Sequence, residues 1–350
     1  AIVINRELSK DEQLEIMRMI QADPGSEVFT TNNISLPFPV TVVVQDAEIK
    51  RLINYREMKA LLAFGEIDHN GVPVFQRLSV NGMSLWQYHK YRIYFMLRNL
   101  AYEAELAPDF SKRYDKVLWF TDGPELQIHT TLPENVICHY PGGRVKKRND
   151  FPALIKYVIY LKIRFIQGLL HSFKPVKARH LILDRSIKQP CLDLKTLEVK
   201  PENYNLAYVF EKAGEDVAVI DELETPKFEK SRPFRFMKWM FVNTRKPLTR
   251  IPGEYILLKA MFIPSVWHDF RKADKDFRAV LSTLIQESDL GREAWILRRI
   301  RQFHPATRLY LFKYLAWRRF FSRNQFLSVS SIDENSPAVR CILDSAKACG

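Results

Sequence analysis

From Lys116 onward the chain repeats one pattern: a short apolar run, a polar turn, then a longer stretch of helical spacing. The runs are Lys116–Phe120 (Lys-Val-Leu-Trp-Phe), Asn135–Tyr140 (Asn-Val-Ile-Cys-His-Tyr), Arg179–Leu183, Asp216–Ile220 and Phe326–Ile332, the last alternating apolar with small polar residues. Continuous apolar runs suit strands covered on both faces, as in a parallel sheet, and the intervening helices supply the crossovers. The pattern predicts an α/β fold: a doubly wound, mostly parallel Rossmann-like sheet. The turns that follow the strands carry Asp122, Asp184, Asp221 and Asp333. Ligands of open α/β sheets gather at the carboxyl ends of strands, so a site is expected at these turns.

The first 110 residues read as a mixed α+β region. Residues 6–22 predict a helix closed by Asp23-Pro24-Gly25-Ser26, Val40–Gln45 a strand, and Ala47–Phe64 a helix closed by Gly65. Asn70-Gly71 predicts a hairpin leading into Val72–Val80. Ser84 caps an expected helix that runs to about Leu106, with Pro108 marking its end. The domain reading is therefore residues 1–110 as this α+β region and 111–350 as the Rossmann-like domain, with a helical insertion at about 233–321. Phe151–Phe173 predicts a long helix, too interrupted by Lys156, Lys162 and Arg164 to span a bilayer.

Asn324–Gly350 predicts a strand, a carboxylate-rich turn at Asp333-Glu334-Asn335-Ser336, and a helix begun by Pro337. Val339, Ile342, Leu343 and Ala346 then recur at helical spacing. A glycine such as Gly350 usually hands a helix on to a next strand, so a continuation of the α/β pattern is expected beyond it.

Several chemistries lack their signatures. No Gly-x-Gly-x-x-Gly, phosphate-binding loop ending in Gly-Lys-Ser/Thr, His-Glu-x-x-His or Gly-x-Ser-x-Gly occurs. No metal or resident cofactor is expected. Pro141-Gly142-Gly143-Arg144, with Lys146, Lys147 and Arg148, has two readings: a solvated loop, or backbone amides and cations holding an anion. Asp333 and Glu334 also have two, a general base prepared by like-charge repulsion or a helix cap. Asp122, in Thr-Asp-Gly, is a candidate base or a turn former. His129 and His139 flank the second run; ten-residue spacing is no metal pattern, and a structural histidine is the favoured reading.

The net charge of +13 implies an anionic partner. Two basic aromatic stretches carry much of it: one around Arg235, Lys238 and Trp239, the other from Arg292 to Arg323 with Arg318 and Arg319 beside Trp317, Phe320 and Phe321. Such helices either lie on an anionic membrane surface or bury an aromatic face and solvate a basic one. No nucleic-acid module accompanies them, so nucleic acid is not the expected partner. Cys138, Cys191, Cys341 and Cys349 form no Cys-x-x-Cys pair, and Ala1-Ile-Val-Ile-Asn-Arg-Glu does not read as a signal peptide. The expected location is the cytoplasm, with peripheral contact at the inner face of the membrane.

Ser331-Ile332-Asp333-Glu334-Asn335-Ser336-Pro337, with Arg340 and Ala346-Lys347 before Gly350, resembles the last strand and helix of the N-terminal half of GT-B-type surface-polysaccharide glycosyltransferases. Gly82-Met83-Ser84-Leu85-Trp86 is similar to a Gly-x-x-Leu-Trp passage upstream in such chains. The resemblance implies the acceptor-side part of a bacterial enzyme that moves a sugar from a nucleotide-sugar to a glycan or lipid-linked acceptor. It implies Asp122, Asp333 and Glu334 as base candidates, and Gly142, Gly143, Arg144 and Lys147 as anion or substrate contacts. It also implies that the second GT-B domain is absent and that these residues turn over little substrate alone. A non-catalytic scaffold docking on an anionic membrane surface or partner is the alternative.

Overall fold

The computed structural model describes residues 1–31, 36–44, 46–69, 71–121, 126, 131–140, 162, 165, 169, 178–184, 189–192, 199–202, 216–221, 249–288, 291–331 and 336–350. They form an α/β protein of two compact units. The first is Ala1–Val74, Lys90–Arg148 and Ile285–Arg299; the second is Phe75–His89, Asn149–Leu284 and Ile300–Gly350.

The first unit holds a five-stranded, all-parallel sheet. Its strands are β1 (Ile2–Ile4), β2 (Val28–Thr30), β3 (Thr41–Val42), β8 (Val117–Phe120) and β9 (Val136–His139), in the order β3-β2-β1-β8-β9. Both faces are covered, which is why the strands are apolar without alternation. Helix α1 (Lys10–Ala22) sets Ile16 against Ile2, Ile4, Val28 and Phe120 on one face. Helix α4 (Leu85–Arg113) sets Ala104, Ala107 and Phe110 against Val3, Val117, Trp119 and Val136 on the other. Helix α2 (Ala47–Glu66) follows β3, its first turn capped by the Asp46 carboxylate, which accepts from the Glu48 and Ile49 amides.

The second unit holds another parallel sheet. Here β10 (His180–Asp184), β13 (Val217–Asp221), β14 (Thr249–Pro252) and β15 (Ser328–Ser331) lie in the order β14-β13-β10-β15. Leu181, Leu183, Ala218 and Ile220 pack on Ile256 of α5 (Gly253–Ala260), Trp317 and Phe321 of α8 (His304–Phe321), and Val339 and Ile342 of α9 (Pro337–Lys347). Between α5 and α8 run α6 (Pro264–Glu287) and α7 (Arg292–Gln302). A separate two-stranded sheet pairs β11 (Gln189–Leu192) with β12 (Val199–Glu202).

Where the sequence pattern predicts one parallel sheet, there are two. The runs at 117 and 136 join β1, whereas those at 180, 217 and 328 form the other sheet. Consequently the first sheet draws strands from both sides of residue 110. Other differences are local. The strand expected over Val40–Gln45 is two residues long. Thr249–Pro252, expected within a helical insertion, is a strand. Pro108 does not end α4, because Ala107 and Phe110 carry the buried face past it; the contacts outweigh the amide bond that proline cannot make. Two hairpins replace the expected one. The first pairs β4 (Asp68–His69) with β5 (Val72–Pro73), and after the short helix α3 (Val74–Arg77) the second pairs β6 (Ser79–Val80) with β7 (Met83–Ser84). The β6–β7 turn places Asn81 and Gly82 at φ of 54° and 84°, the twist-matched turn that this dipeptide favours. Tyr314 Oη donates to the Asn81 carbonyl at 2.6 Å and fixes that turn in the second unit.

Candidate functional site

In the first sheet the chain moves outward from β1 to β2 and β3, then returns to the other side of β1 with β8 and β9. The order therefore reverses between β1 and β8, and the carboxyl ends of these two strands frame the crevice in which such sheets bind ligands. Asn5 and Arg6 follow β1, and Thr121 follows β8; all three are buried. The Asn5 amide donates to the Phe120 carbonyl at 3.0 Å, and Asn5 Oδ1 accepts from the Thr31 amide at 3.2 Å and hydroxyl at 2.8 Å. Thr121 is held from the other side, its amide donating to the His139 carbonyl at 3.1 Å. His139 stacks on Phe120 with ring centroids 4.9 Å apart.

Arg6 is the electrostatic centre of this edge. Its Nε donates to the Thr121 carbonyl at 3.0 Å, and Nη1 and Nη2 donate to Glu12 at 3.1 and 2.6 Å in a bidentate fork. The guanidinium also lies 5.7 Å from the centre of the Phe120 ring. Glu12 in turn closes a capping box: it accepts from the Ser9 amide at 2.8 Å while Ser9 Oγ accepts from the Glu12 amide at 3.2 Å. The amino end of α1 is thus capped and bordered by Asp11 and Glu12, and Asn5–Ser9 contains no glycine. A diphosphate has no cradle at this position, unlike the glycine-rich turns that bind one. The edge instead carries buried, internally bonded polar groups around a paired cation.

The Arg6 guanidinium, by hydrogen bonding, holds the Glu12 carboxyl down to about 2 from 4.5. A carboxyl lowered by folding adds stability that is fully present above pH ~4.5 and disappears as the pH falls toward ~2. Glu12→Gln should therefore cost about 1 kcal/mol at neutral pH, since Glu12 keeps one side to water. It should also flatten the loss of stability between those pH values. Urea midpoints measured from pH 7 down to pH 2 check both, and parallel acid curves for the two proteins would contradict the assignment.

The second sheet reverses its order between β10 and β15. Asp184 and Asp221 close β10 and β13 at aligned register positions, and Gly253 opens α5 directly after β14. Two of the acids expected at strand ends, Asp184 and Asp221, thus share one edge of this sheet by register. Residues 332–335, with Asp333 and Glu334, follow β15 in the sequence and lie outside the described residues. Asp122, one residue past Thr121, lies outside them too, as do Gly142, Gly143, Arg144, Lys147, Arg235, Lys238 and Trp239. Arg318 and Arg319 are exposed in the last turn of α8, where cations complement the helix dipole. Trp317 beside them is fully buried.

Sequence reasoning missed Asn5, Arg6 and Glu12. The signal was available: a short apolar run at Ile2–Ile4, two polar residues, then Ser9-Lys10-Asp11-Glu12, the spacing of a capping box. Among the described residues no cluster of three or more His, Cys, Asp or Glu side chains could hold a metal, and no helix is long and apolar enough to cross a membrane. No protein-family model, curated protein or solved structure matches the chain.

Proposed function

We propose that the chain acts in a GT-B-type glycosyltransferase of bacterial surface-polysaccharide assembly. The enzyme would transfer a sugar from a nucleotide-sugar to a glycan or lipid-linked acceptor. The observation that carries this reading is the pair of parallel sheets, one in each unit, each with a switch point lined by polar or acidic strand ends. The first edge, without a phosphate cradle, suits the acceptor. The second, with Gly253 opening a helix at the carboxyl edge, suits the nucleotide part of the donor. A base among Asp122, Asp333 and Glu334 would take the proton of the acceptor hydroxyl as its oxygen attacks the anomeric carbon and the nucleoside diphosphate departs.

One observation favours the alternative, a non-catalytic scaffold: Arg6 and Glu12 are spent on each other at the first switch point. Titration calorimetry with UDP, GDP, CDP and the matching monophosphates separates the two. The transferase reading expects one diphosphate to bind at one site with Kd between roughly 1 μM and 1 mM, and more tightly than its monophosphate. Heats of dilution alone for every nucleotide would leave the scaffold.

A further inference from the structure

We infer that the corner between α5 and α6, with the first turns of α6, is a docking surface for an anionic phospholipid bilayer. Met261 and Phe262 form the turn between the two helices, and they are 48% and 80% exposed. A protruding methionine and phenylalanine side by side are costly in water and suited to the acyl boundary of a bilayer. The turn is held in place: Trp267 Nε1 donates to the Met261 carbonyl at 2.8 Å, and the Trp267 ring packs on Phe270 and Phe312 at 5.6 and 5.2 Å.

Behind the turn lies a shallow groove of ≈ 800 Å³ lined by Met261, Phe262, Trp267, Arg271, Lys272 and Lys275, together with Pro264 and His268. Among the described residues its lining holds Arg271, Lys272 and Lys275 and no acid. At ~100° per residue, Pro264, His268, Arg271 and Lys275 share one stripe of α6, with Lys272 at its margin. Asp269 and Asp276 fall roughly 100° further round the helix. Apolar tip and cationic flank therefore face the same way, the arrangement by which a peripheral protein inserts side chains while its lysines and arginines meet lipid phosphates. The chain's net charge of +13 acts in the same direction.

The observations favour lipid over nucleic acid. Single-stranded nucleic acid stacks successive bases on several aromatic platforms, whereas Trp267 is already packed against two phenylalanines, which leaves Phe262 as a lone protruding ring beside a methionine. The inference is independent of the sugar-transfer chemistry and holds for an enzyme or a scaffold alike.

The test is co-sedimentation of the full 350-residue chain with phosphatidylcholine vesicles, with and without phosphatidylglycerol, at low and high salt. The wild type should pellet with phosphatidylglycerol vesicles at low salt and stay in solution with phosphatidylcholine alone. Met261→Ser with Phe262→Ser, both at exposed positions, should weaken binding at least tenfold without changing the melting temperature. Replacing Arg271, Lys272 and Lys275 by Glu should abolish it, since each lost cation is worth about fivefold. A wild-type protein that does not pellet, or variants that pellet as well as wild type, overturns the inference. So does retention of generic RNA that falls in these variants while vesicle binding does not.

Discussion

Glu57→Ala is expected to be among the most destabilising single substitutions in the first unit. Glu57 lies in the middle of α2 with no exposed surface, an expensive place for a carboxylate. It is tolerated because Arg292, at the start of α7, pairs with one oxygen and Arg56 Nε donates to the other at 3.2 Å. Arg56 also reaches Glu105 of α4 at 3.0 Å, so one ion-pair network links α2, α4 and α7. Breaking a buried pair from one side costs roughly 3–5 kcal/mol, because the partner charge is left without compensation. The lower end applies here: Arg292 and Arg56 are partly exposed and can turn toward water. Glu57→Met should cost less than Glu57→Ala, since it fills the space that alanine leaves empty. Urea unfolding of the three proteins measures this; a loss below ~1 kcal/mol for Glu57→Ala would mean that the carboxylate contributes little.

Element type was largely legible in the sequence, and sheet membership was not. Val117–Phe120 and Val217–Ile220 read as buried strands because each is a short apolar run bounded by polar turns, a length that fits a strand covered on both faces better than a helix. That same pattern carries no information on pairing, so nothing distinguished the partner of Phe120, which is Ile4, from the neighbours of Leu181. Strand β1 went unread because three residues are too few for periodicity, and its role depends on β8, more than a hundred residues away. Strand β14 contains Arg250 and Pro252, residue types that disfavour strands; pairing with β13 overrides that preference. For the site, the acids at strand ends were visible individually. The register that aligns Asp184 with Asp221, and the closure of Arg6 on Glu12, are tertiary facts that no local motif encodes.

Asp122→Asn carries the largest expected effect on activity. Thr121 fixes the carboxyl end of β8 beside β1 through its amide bond to His139 and the Arg6 contact to its carbonyl. Asp122 is the next residue in the sequence, and in the proposed transferase it is a candidate base for the acceptor hydroxyl. Asparagine keeps the size and hydrogen-bonding capacity of the side chain and removes its ability to take a proton. A positioned general base is worth about 10²- to 10⁴-fold, so kcat should fall by that factor while KM for the nucleotide-sugar changes little. Asp333→Asn and Glu334→Gln serve as internal comparisons, because Asp333 and Glu334 follow β15, a strand of the second unit, in the sequence.

The most direct measurement is the initial rate of nucleoside diphosphate release from a panel of nucleotide-sugars, with bacterial membrane extract as the acceptor source. Wild type would be compared with Asp122→Asn, Asp333→Asn and Glu334→Gln. Glycosyl transfer predicts acceptor-dependent release by the wild type from at least one nucleotide-sugar, and a 10²- to 10⁴-fold loss in Asp122→Asn. No release by the wild type from any donor, or undiminished release by all three variants, would contradict it.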